Sequence, residues 1–266
     1  MVRLPRRQPR RWLVLVSLAL VLAWASSSFA AHPIASAASD QRVLILMYHY
    51  IRTGVPPSDR LGQGLSIAPA DLDAQARALV QRGYVSVTLD DLVAAQLGQA
   101  ALPPRAVALT FDDGYADFYT AAWPILQRYG LSATAYIISG KLGQPGYLAC
   151  DQLRELADAG VTIAAHSVTH PRLTALSDAA LAREMRESRR QLEDCLGQPV
   201  RHFAYPSGVY DARVRQAAAE AGYLTATTTR YGVARPDLDR LTLPRLRVFG
   251  GISLPQFVGL LATAER

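Results

Sequence analysis

Two kinds of side chain that bind metal ions and move protons occur in pairs along this sequence. Asp112 and Asp113 are adjacent and precede a glycine, and His166 and His170 form a His-x-x-x-His pair later in the chain. Two histidines four residues apart can hold one ion from the same side of a turn. With one carboxylate they make a set that leaves a position open for water, as in catalytic zinc sites. The second aspartate is then available as a base, and the cation relieves the repulsion between adjacent carboxylates.

Each pair alone also has an ordinary structural interpretation. Asp-Asp-Gly is a frequent turn or helix start, and two histidines can be plain polar residues. The functional interpretation therefore depends on whether the two pairs meet at one place in the fold.

The segments around these pairs alternate between short apolar runs and helical patterns. Continuous apolar runs are typical of strands buried on both faces of a parallel sheet. Seven or eight βα repeats favour a closed α/β barrel over an open sheet. The predicted strands are 43–47, 84–88, 106–111, 133–138, 161–165, 201–205, 223–227 and 243–249, and the predicted helices are 70–82, 115–129, 151–159, 178–196, 211–221 and 254–264. Residues 53–65, rich in Pro, Gly and Asp, are expected to form a mobile loop.

A barrel of this kind predicts where the pairs lie. Reactive groups of parallel barrels follow the carboxyl ends of the strands. The acidic pair follows strand 106–111, the histidine pair follows strand 161–165, and His49 follows strand 43–47. Three of the five histidines and the acidic pair are therefore expected at one rim.

The amino terminus reads as an export segment. Five arginines precede an apolar run, 12–25, and small residues follow it, as in a signal peptide or an N-terminal anchor. Residues 1–38 are assigned to this segment and residues 39–266 to one catalytic-type domain. Without the first eleven residues the net charge of +6 falls to +1, so the composition of the domain does not indicate a basic surface for nucleic acid.

Three motifs resemble those of the polysaccharide deacetylases of the NodB-homology type, carbohydrate esterase family four. They are Thr110-Phe111-Asp112-Asp113-Gly114, His166-Ser167-x-x-His170 and Phe203-Ala204-Tyr205-Pro206-Ser207-Gly208. The likeness covers about 43–249, and residues 44–50 (LILMYHY) are most similar to the poly-N-acetylglucosamine deacetylase branch. The resemblance implies a distorted (β/α)₇ barrel.

The resemblance also implies roles for individual residues. Asp112 would be the general base, and Asp113, His166 and His170 would hold a divalent metal, zinc by default. Ser207 would supply a backbone N–H to the oxyanion. The expected substrate contacts are Tyr48, Tyr205 and Pro206.

The sequence departs from the family pattern at three places. Ala204 stands where the family has an arginine that orients the base, and Ser207 replaces an aromatic residue. The usual histidine of the fifth motif, a general acid, is absent from the stretch 243–248. His49 is predicted to replace this acid, the alternative being a hydrogen bond to a loop or a sugar. Arg245 is predicted to orient Asp112, the alternative being a structural arginine.

The two cysteines are expected to be free thiols. Cys150 precedes a predicted helix and Cys195 ends another. Since barrel helices run antiparallel to the strands, the two should lie at opposite ends of the barrel, beyond disulfide reach.

These observations predict an exported enzyme of the extracellular space or cell envelope. It would remove N-acetyl groups from an N-acetylglucosamine polysaccharide of biofilm, peptidoglycan or chitin type, releasing acetate. An O-acetyl esterase and a non-catalytic carbohydrate-binding module are the alternatives. A monomer is expected, with a polysaccharide as partner, no nucleic acid, and membrane contact only through an uncleaved N-terminal segment.

Overall fold

Alternating strands and helices make up residues 41–264, the part of the chain that the computed structural model describes. The strands are β1 (Val43–Tyr48), β2 (Tyr50–Ile51), β3 (Ser66–Ile67), β4 (Val85–Ser86), β5 (Ala106–Phe111), β6 (Thr134–Ile137), β7 (Thr162–Ala165), β8 (His202–Ala204), β9 (Thr225–Tyr231) and β10 (Leu243–Arg247). The helices are α1 (Arg60–Leu65), α2 (Pro69–Gln81), α3 (Leu89–Gln96), α4 (Trp123–Arg128), α5 (Cys150–Asp158), α6 (Asp178–Leu196), α7 (Ala212–Glu220) and α8 (Leu254–Ala264). The predicted export segment, 1–38, lies outside the described residues.

Seven parallel strands close into a barrel, in the order β1-β10-β9-β8-β7-β6-β5, with β5 pairing back to β1. The extra strand β4 pairs with Ala106 and Val107 of β5, whereas β6 pairs with Thr110 and Phe111 of the same strand. One edge of β5 is thus shared by two strands, and this distorts the ring. The predicted (β/α)₇ barrel is confirmed.

The strands alternate between two layers of the core because successive side chains point to opposite faces. On β1, Leu44 and Leu46 pack outward under the helices, whereas Val43 and Ile45 point into the barrel. Several residues of the interior are alanines, including Ala106, Ala108, Ala164 and Ala204. The interior therefore has room for larger side chains delivered from other strands.

Most predicted elements are present within two or three residues of their expected ends. The helix over 178–196 is observed with the same bounds, with Ser177 accepting a hydrogen bond from the Ala180 N–H and Gly197 in the left-handed conformation that ends it. The predicted loop 53–65 is partly wrong: Asp59 caps a short helix, α1, inside it. Helix α3 begins at a Thr88–Asp91 capping box that the sequence prediction missed.

The prediction of free thiols is wrong, because Cys150 and Cys195 form a disulfide with their Cα atoms 5.8 Å apart. The helix carrying Cys195 does not descend the full height of the barrel. One turn before it, Gln191 accepts a hydrogen bond from Ser139 (2.7 Å), which lies two residues after the end of β6, at the reactive rim. Residues 197–201 complete the descent, so the end of α6 meets the start of α5.

No helix within residues 41–264 is long and apolar enough to span a membrane.

Candidate active site

A cavity of about 410 Å³ opens at the carboxyl ends of the barrel strands. Most side chains that line it follow a strand or belong to the loop after one, as expected for a parallel barrel, whereas Thr229 and Arg247 lie near the carboxyl ends of β9 and β10. The lining includes both members of the acidic pair, both members of the histidine pair, and His49. The other lining residues are Leu61, Leu65, Tyr115, Ile138, Lys141, Tyr147, Tyr205, Ser207, Gly208, Thr229 and Arg247. The sequence pairs therefore do meet at one place.

Asp113, His166 and His170 form a set that can hold one metal ion. One ligand atom from each residue lies within 4.8 Å of the others. The Nε2 atoms of His166 and His170 are 3.5 and 3.7 Å from Asp113 Oδ1. Asp113 and His166 are buried, and His170 is half-buried. Two imidazoles and one carboxylate suit a first-row divalent ion such as zinc.

Hydrogen bonds orient both histidines. Nδ1 of His166 donates to the carbonyl of Ala204 (2.7 Å), so Nε2 keeps its lone pair for a ligand. The His170 N–H donates to Ser167 Oγ (2.9 Å). Before it, the N–H groups of Val168 and Thr169 donate to the Glu184 carboxylate of α6 (2.8 and 3.0 Å). Helix α6 thus fixes the loop that presents His170.

Backbone strain is concentrated at this cavity. Among residues 41–264, four non-glycine residues have left-handed φ angles: Asp113 (75°), Ser167 (63°), His170 (59°) and Ser207 (55°). Such conformations cost of order 1–3 kcal/mol each and persist where the surrounding structure imposes them. Three of the four line the cavity, and Ser167 braces His170. Two candidate metal ligands and the candidate oxyanion donor are therefore held in backbone conformations that free chains avoid.

Asp112 is paired with Arg245 inside the barrel. Nη1 and Nη2 of Arg245 donate to Oδ1 and Oδ2 of Asp112, both at 2.7 Å. Arg245 is also anchored by the Thr228 carbonyl (2.9 Å) and Thr110 Oγ1 (3.1 Å). Burial by itself would raise the pKa of Asp112, but the Arg245 guanidinium holds that pKa well below its usual range. Asp112 is therefore an ionised carboxylate in a fixed orientation.

The sequence of β10 explains how an arginine reaches this position. Pro244 lacks an N–H, and the pairing of β10 with β9 shifts register between Leu243 and Arg245. The extra residues of this irregularity lie on β9, so β10 keeps its alternation: Arg245, like Leu243 two residues before it, faces the interior, where its exposure is 1 %. Ala204, at the position where an arginine was expected, lines the same interior and leaves room. The predicted contact between Arg245 and Asp112 is present, and its contribution to catalysis stays a prediction.

His49 lies on the other side of Asp112, with its Nε2 4.0 Å from Asp112 Oδ2. Burial lowers the pKa of His49, and the positive charges of Arg245 and Arg247 lower it further. The carboxylates of Asp112 and Asp113 oppose this effect, but the net direction is downward. His49 therefore faces the cavity as expected, with a bias toward the neutral imidazole.

Ser207 belongs to a single 3₁₀ turn, Pro206–Gly208, after β8. Among the described residues no acceptor takes its backbone N–H, whereas the next N–H, of Gly208, donates to the Tyr205 carbonyl (2.7 Å). A side chain at Gly208 would overlap Thr229, so only glycine allows the turn to sit this close to β9. The Ser207 N–H is thus a free donor at the cavity wall.

Of the three residues expected to contact substrate, only Tyr205 lines the cavity. Tyr48 points outward from β1, is fully buried, and donates its hydroxyl hydrogen to Gln75 (3.0 Å). It does not line the cavity, because alternate β1 residues face the helices. Pro206 is also buried away from the cavity wall. Tyr205 does line it, although its hydroxyl donates to the Leu241 carbonyl (2.9 Å).

Several cavity residues were not predicted from the sequence, among them the polar and aromatic side chains of Tyr115, Lys141, Tyr147 and Arg247. Tyr115 stacks on Tyr50 with ring centroids 3.6 Å apart and contacts Tyr147 at 5.3 Å. Burial and the Asp113 carboxylate raise the pKa of Tyr115. Its place immediately after Asp-Asp-Gly was the available signal. Lys141 and Tyr147 lie in a long loop with no recognisable pattern.

The fold and the site together define an α/β-barrel protein with a candidate metal site, Asp113–His166–His170, beside a separate carboxylate that is held by an arginine. Comparison with known sequences identifies the family. A family model described as polysaccharide deacetylase matches residues 99–226. The Bacillus subtilis (strain 168) protein YxkH, described as a candidate polysaccharide deacetylase, is 32% identical over 210 residues, covering 79% of this chain and 72% of YxkH. The chain belongs to the polysaccharide deacetylase family.

Two further relatives refine the comparison. The Staphylococcus epidermidis poly-β-1,6-N-acetyl-D-glucosamine N-deacetylase is 21% identical over 266 residues, covering 89% of this chain and 92% of that protein. The solved structure of the Streptococcus pyogenes deacetylase PplD in complex with acetate superposes with a TM-score of 0.78 at 30% identity, covering 84% of this chain and 99% of PplD. The predicted family resemblance is confirmed, and the chain is a hydrolase of the deacetylase type.

Proposed function

We propose that this protein removes N-acetyl groups from an N-acetylglucosamine polysaccharide in a metal-dependent reaction, releasing acetate. The observation that carries the proposal is the Asp113–His166–His170 set beside an arginine-held Asp112 in one cavity. An amide of N-acetylglucosamine needs an activated water, a polarised carbonyl and a proton donor for the amine. The cavity residues can be assigned to these needs.

The donor set suits a divalent ion, zinc in the first instance. Both histidines can offer Nε2, and His166 is held in the required tautomer by the Ala204 carbonyl. A bound ion would polarise the acetyl carbonyl and make water a stronger acid. Asp113, His166 and His170 would hold it.

The remaining steps belong to side chains and backbone. Asp112, ionised and fixed by Arg245, accepts the proton of the attacking water. The free Ser207 N–H donates to the oxygen that gains negative charge as the carbonyl becomes tetrahedral. The amine nitrogen must receive a proton before it leaves, and His49, 4.0 Å from Asp112, is the assigned donor.

A β-1,6-linked polymer is the first substrate to test. The support is the alignment with the staphylococcal poly-β-1,6-N-acetyl-D-glucosamine N-deacetylase along 89% of this chain. The enzyme would act as an exported monomer on a polysaccharide outside the cell or in its envelope. The arginine-rich start and the apolar run 12–25 support export.

Acetate release from defined oligomers tests the proposal. Purified protein is incubated with β-1,6-linked N-acetylglucosamine oligomers, chitin oligomers and an O-acetylated polysaccharide, with a chelator or with added Zn²⁺. Metal-dependent acetate release from the N-acetyl substrates is expected. Asp112→Asn should lose at least about a hundredfold in rate, the usual general-base contribution. Release from the O-acetyl substrate alone would instead assign an esterase, and no release from any substrate would reject catalysis.

A further inference from the structure

A second groove adjoins the candidate active site on the side of β9 and β10. It encloses about 570 Å³ and is lined by Thr229, Tyr231, Arg245, Arg247, Phe249, Ile252, Gln256 and Leu260. Thr229 and Arg247 line both this groove and the reaction cavity. The two cavities are therefore continuous, and a ligand longer than one sugar can extend from the candidate metal ligands into this groove.

Two solvent-exposed aromatic side chains line the groove. Among residues 41–264, Tyr231 (62 %) and Phe249 (53 %) are the two exposed aromatic side chains, and both line this groove. Exposed aromatic faces that cluster at a groove indicate a binding surface. Thr229 and Gln256 add hydrogen-bonding groups beside them. Aromatic faces next to polar groups suit a sugar ring, which has apolar C–H faces and a hydroxyl edge.

The junction between the two cavities carries a positive charge. Arg247 is half-buried, its guanidinium lies 5.7 Å from the centre of the Phe249 ring, and no described residue forms an ion pair with it. A deacetylated neighbour, glucosaminium, is itself a cation. Like charges repel more strongly in a partly enclosed groove than in bulk water.

Resting on the proposed function, we propose that Tyr231, Arg247 and Phe249 form a subsite for the sugar next to the one that is deacetylated. Tyr231 and Phe249 stack on the sugar ring. Arg247 makes the subsite favour a neutral or anionic sugar over glucosaminium. An N-acetylglucosamine unit is then a poor substrate when the neighbouring sugar in this subsite has already been deacetylated. As a result, the deacetylated sugars are spaced along the polymer and do not form continuous runs.

Chain-length dependence tests the stacking. For the full-length protein loaded with Zn²⁺, kcat/KM for a β-1,6-linked pentamer should exceed that for the dimer. Tyr231→Ala and Phe249→Ala should each lower the pentamer-to-dimer ratio about tenfold, equivalent to ~1.4 kcal/mol of pentamer-specific binding. Leu97→Ala, an exposed apolar residue outside the groove, is the matched control. An unchanged ratio in both aromatic variants overturns the subsite.

Charge selectivity tests Arg247. Two pentamers that both carry an N-acetyl group on the central sugar are compared; the neighbouring sugars are N-acetylated in one and glucosamine in the other, and loss of the central acetyl group is measured. The parent should favour acetylated neighbours about fivefold, from a like-charge repulsion of order 1 kcal/mol, Arg247→Lys should keep this preference, and Arg247→Gln should lose it. Equal selectivity in the parent and Arg247→Gln rejects the charge role.

The outcome also separates this inference from the proposed function. If no substrate releases acetate, the proposed function fails. Calorimetric binding of the pentamer then decides the subsite: weaker binding by Tyr231→Ala supports it, and equal binding rejects it. If acetate is released but the ratio and the selectivity do not respond to the variants, only the subsite fails.

Discussion

Arg245 and Asp112, 133 residues apart in sequence, meet inside the barrel through two parallel hydrogen bonds of 2.7 Å. The pair is almost wholly removed from solvent, with side-chain exposures of 0 % and 3 %. Planar guanidinium and carboxylate groups bound in this way have a fixed mutual orientation. Asp112 therefore cannot rotate away from the candidate metal ligands Asp113, His166 and His170 while Arg245 is in place.

Moving the arginine from position 245 on β10 to position 204 on β8 tests whether Arg245 orients Asp112. Arg245→Ala should cost about 3–5 kcal/mol in stability, because it leaves a buried carboxylate unpaired. It should also lower kcat/KM about a hundredfold through misplacement of Asp112. Adding Ala204→Arg, which restores an arginine at the position usual in the family, should recover part of both losses. Denaturant titration and acetate-release kinetics measure them.

The single variant Ala204→Arg is the control. With Arg245 still present it crowds the interior and should cost about 1–3 kcal/mol. If the double variant is no better than Arg245→Ala in either measurement, Arg245 does not act by orienting Asp112.

Removal of two ligands tests the metal site. The parent should bind one divalent ion per chain, and Zn²⁺ at about a hundred times its Kd should stabilise the fold by about 2.7 kcal/mol. His166→Ala/His170→Ala should bind none and show no shift in Tm on addition of Zn²⁺. His49→Ala, a histidine of the same cavity outside the ligand set, should keep the ion. Elemental analysis showing equal metal in parent and double variant would reject the site.

The disulfide between Cys150 and Cys195 gives a stability prediction. It closes a loop with a sequence separation of 45, and the chain-entropy relation gives about 4 kcal/mol for a loop of that length. Cys150→Ser/Cys195→Ser should lose close to that amount in denaturant titration. Thiol titration of the unfolded, unreduced parent should find no free thiol. Two titratable thiols in that sample would contradict the bond.

Most of the barrel could be predicted because its strands and helices carry local signals. Apolar runs, caps such as Ser177 and terminal glycines such as Gly197 act over a few residues. The catalytic rim follows from the topology once the strands are known. The Cys150–Cys195 pair could not be predicted in this way. Its proximity depends on how far α6 descends, and packing between α5 and α6 decides that.

Within the site, too, residues in short local motifs could be predicted, and residues brought together only by the fold could not. Asp112, Asp113, His166 and His170 lie in short motifs, so their meeting could be predicted. The prediction for Tyr48 was wrong because an unbroken apolar run locates a strand without showing which of its two faces each residue occupies, and Tyr48 faces the helices. The groove residues Tyr231 and Phe249 lie beyond any motif, and only the three-dimensional structure brings them beside the site.

The direction of the His49 pKa gives a prediction about the pH dependence of the reaction. A general acid must be protonated, so the rate should fall as the pH rises through its pKa. Burial lowers the pKa of His49 below the ordinary value of 6.5. If His49 is the acid, the alkaline limb of the parent's pH–rate profile therefore begins below pH 6.5.

His49→Ala should keep the metal, lower the rate roughly ten- to a thousandfold, and remove that limb. His49→Gln, which keeps a hydrogen-bonding side chain but cannot donate a titratable proton, should behave in the same way. If His49→Gln restores the parent's rate and pH profile, His49 acts through a hydrogen bond and not as an acid. Asp112 would then be the remaining route, returning to the amine nitrogen the proton that it takes from water.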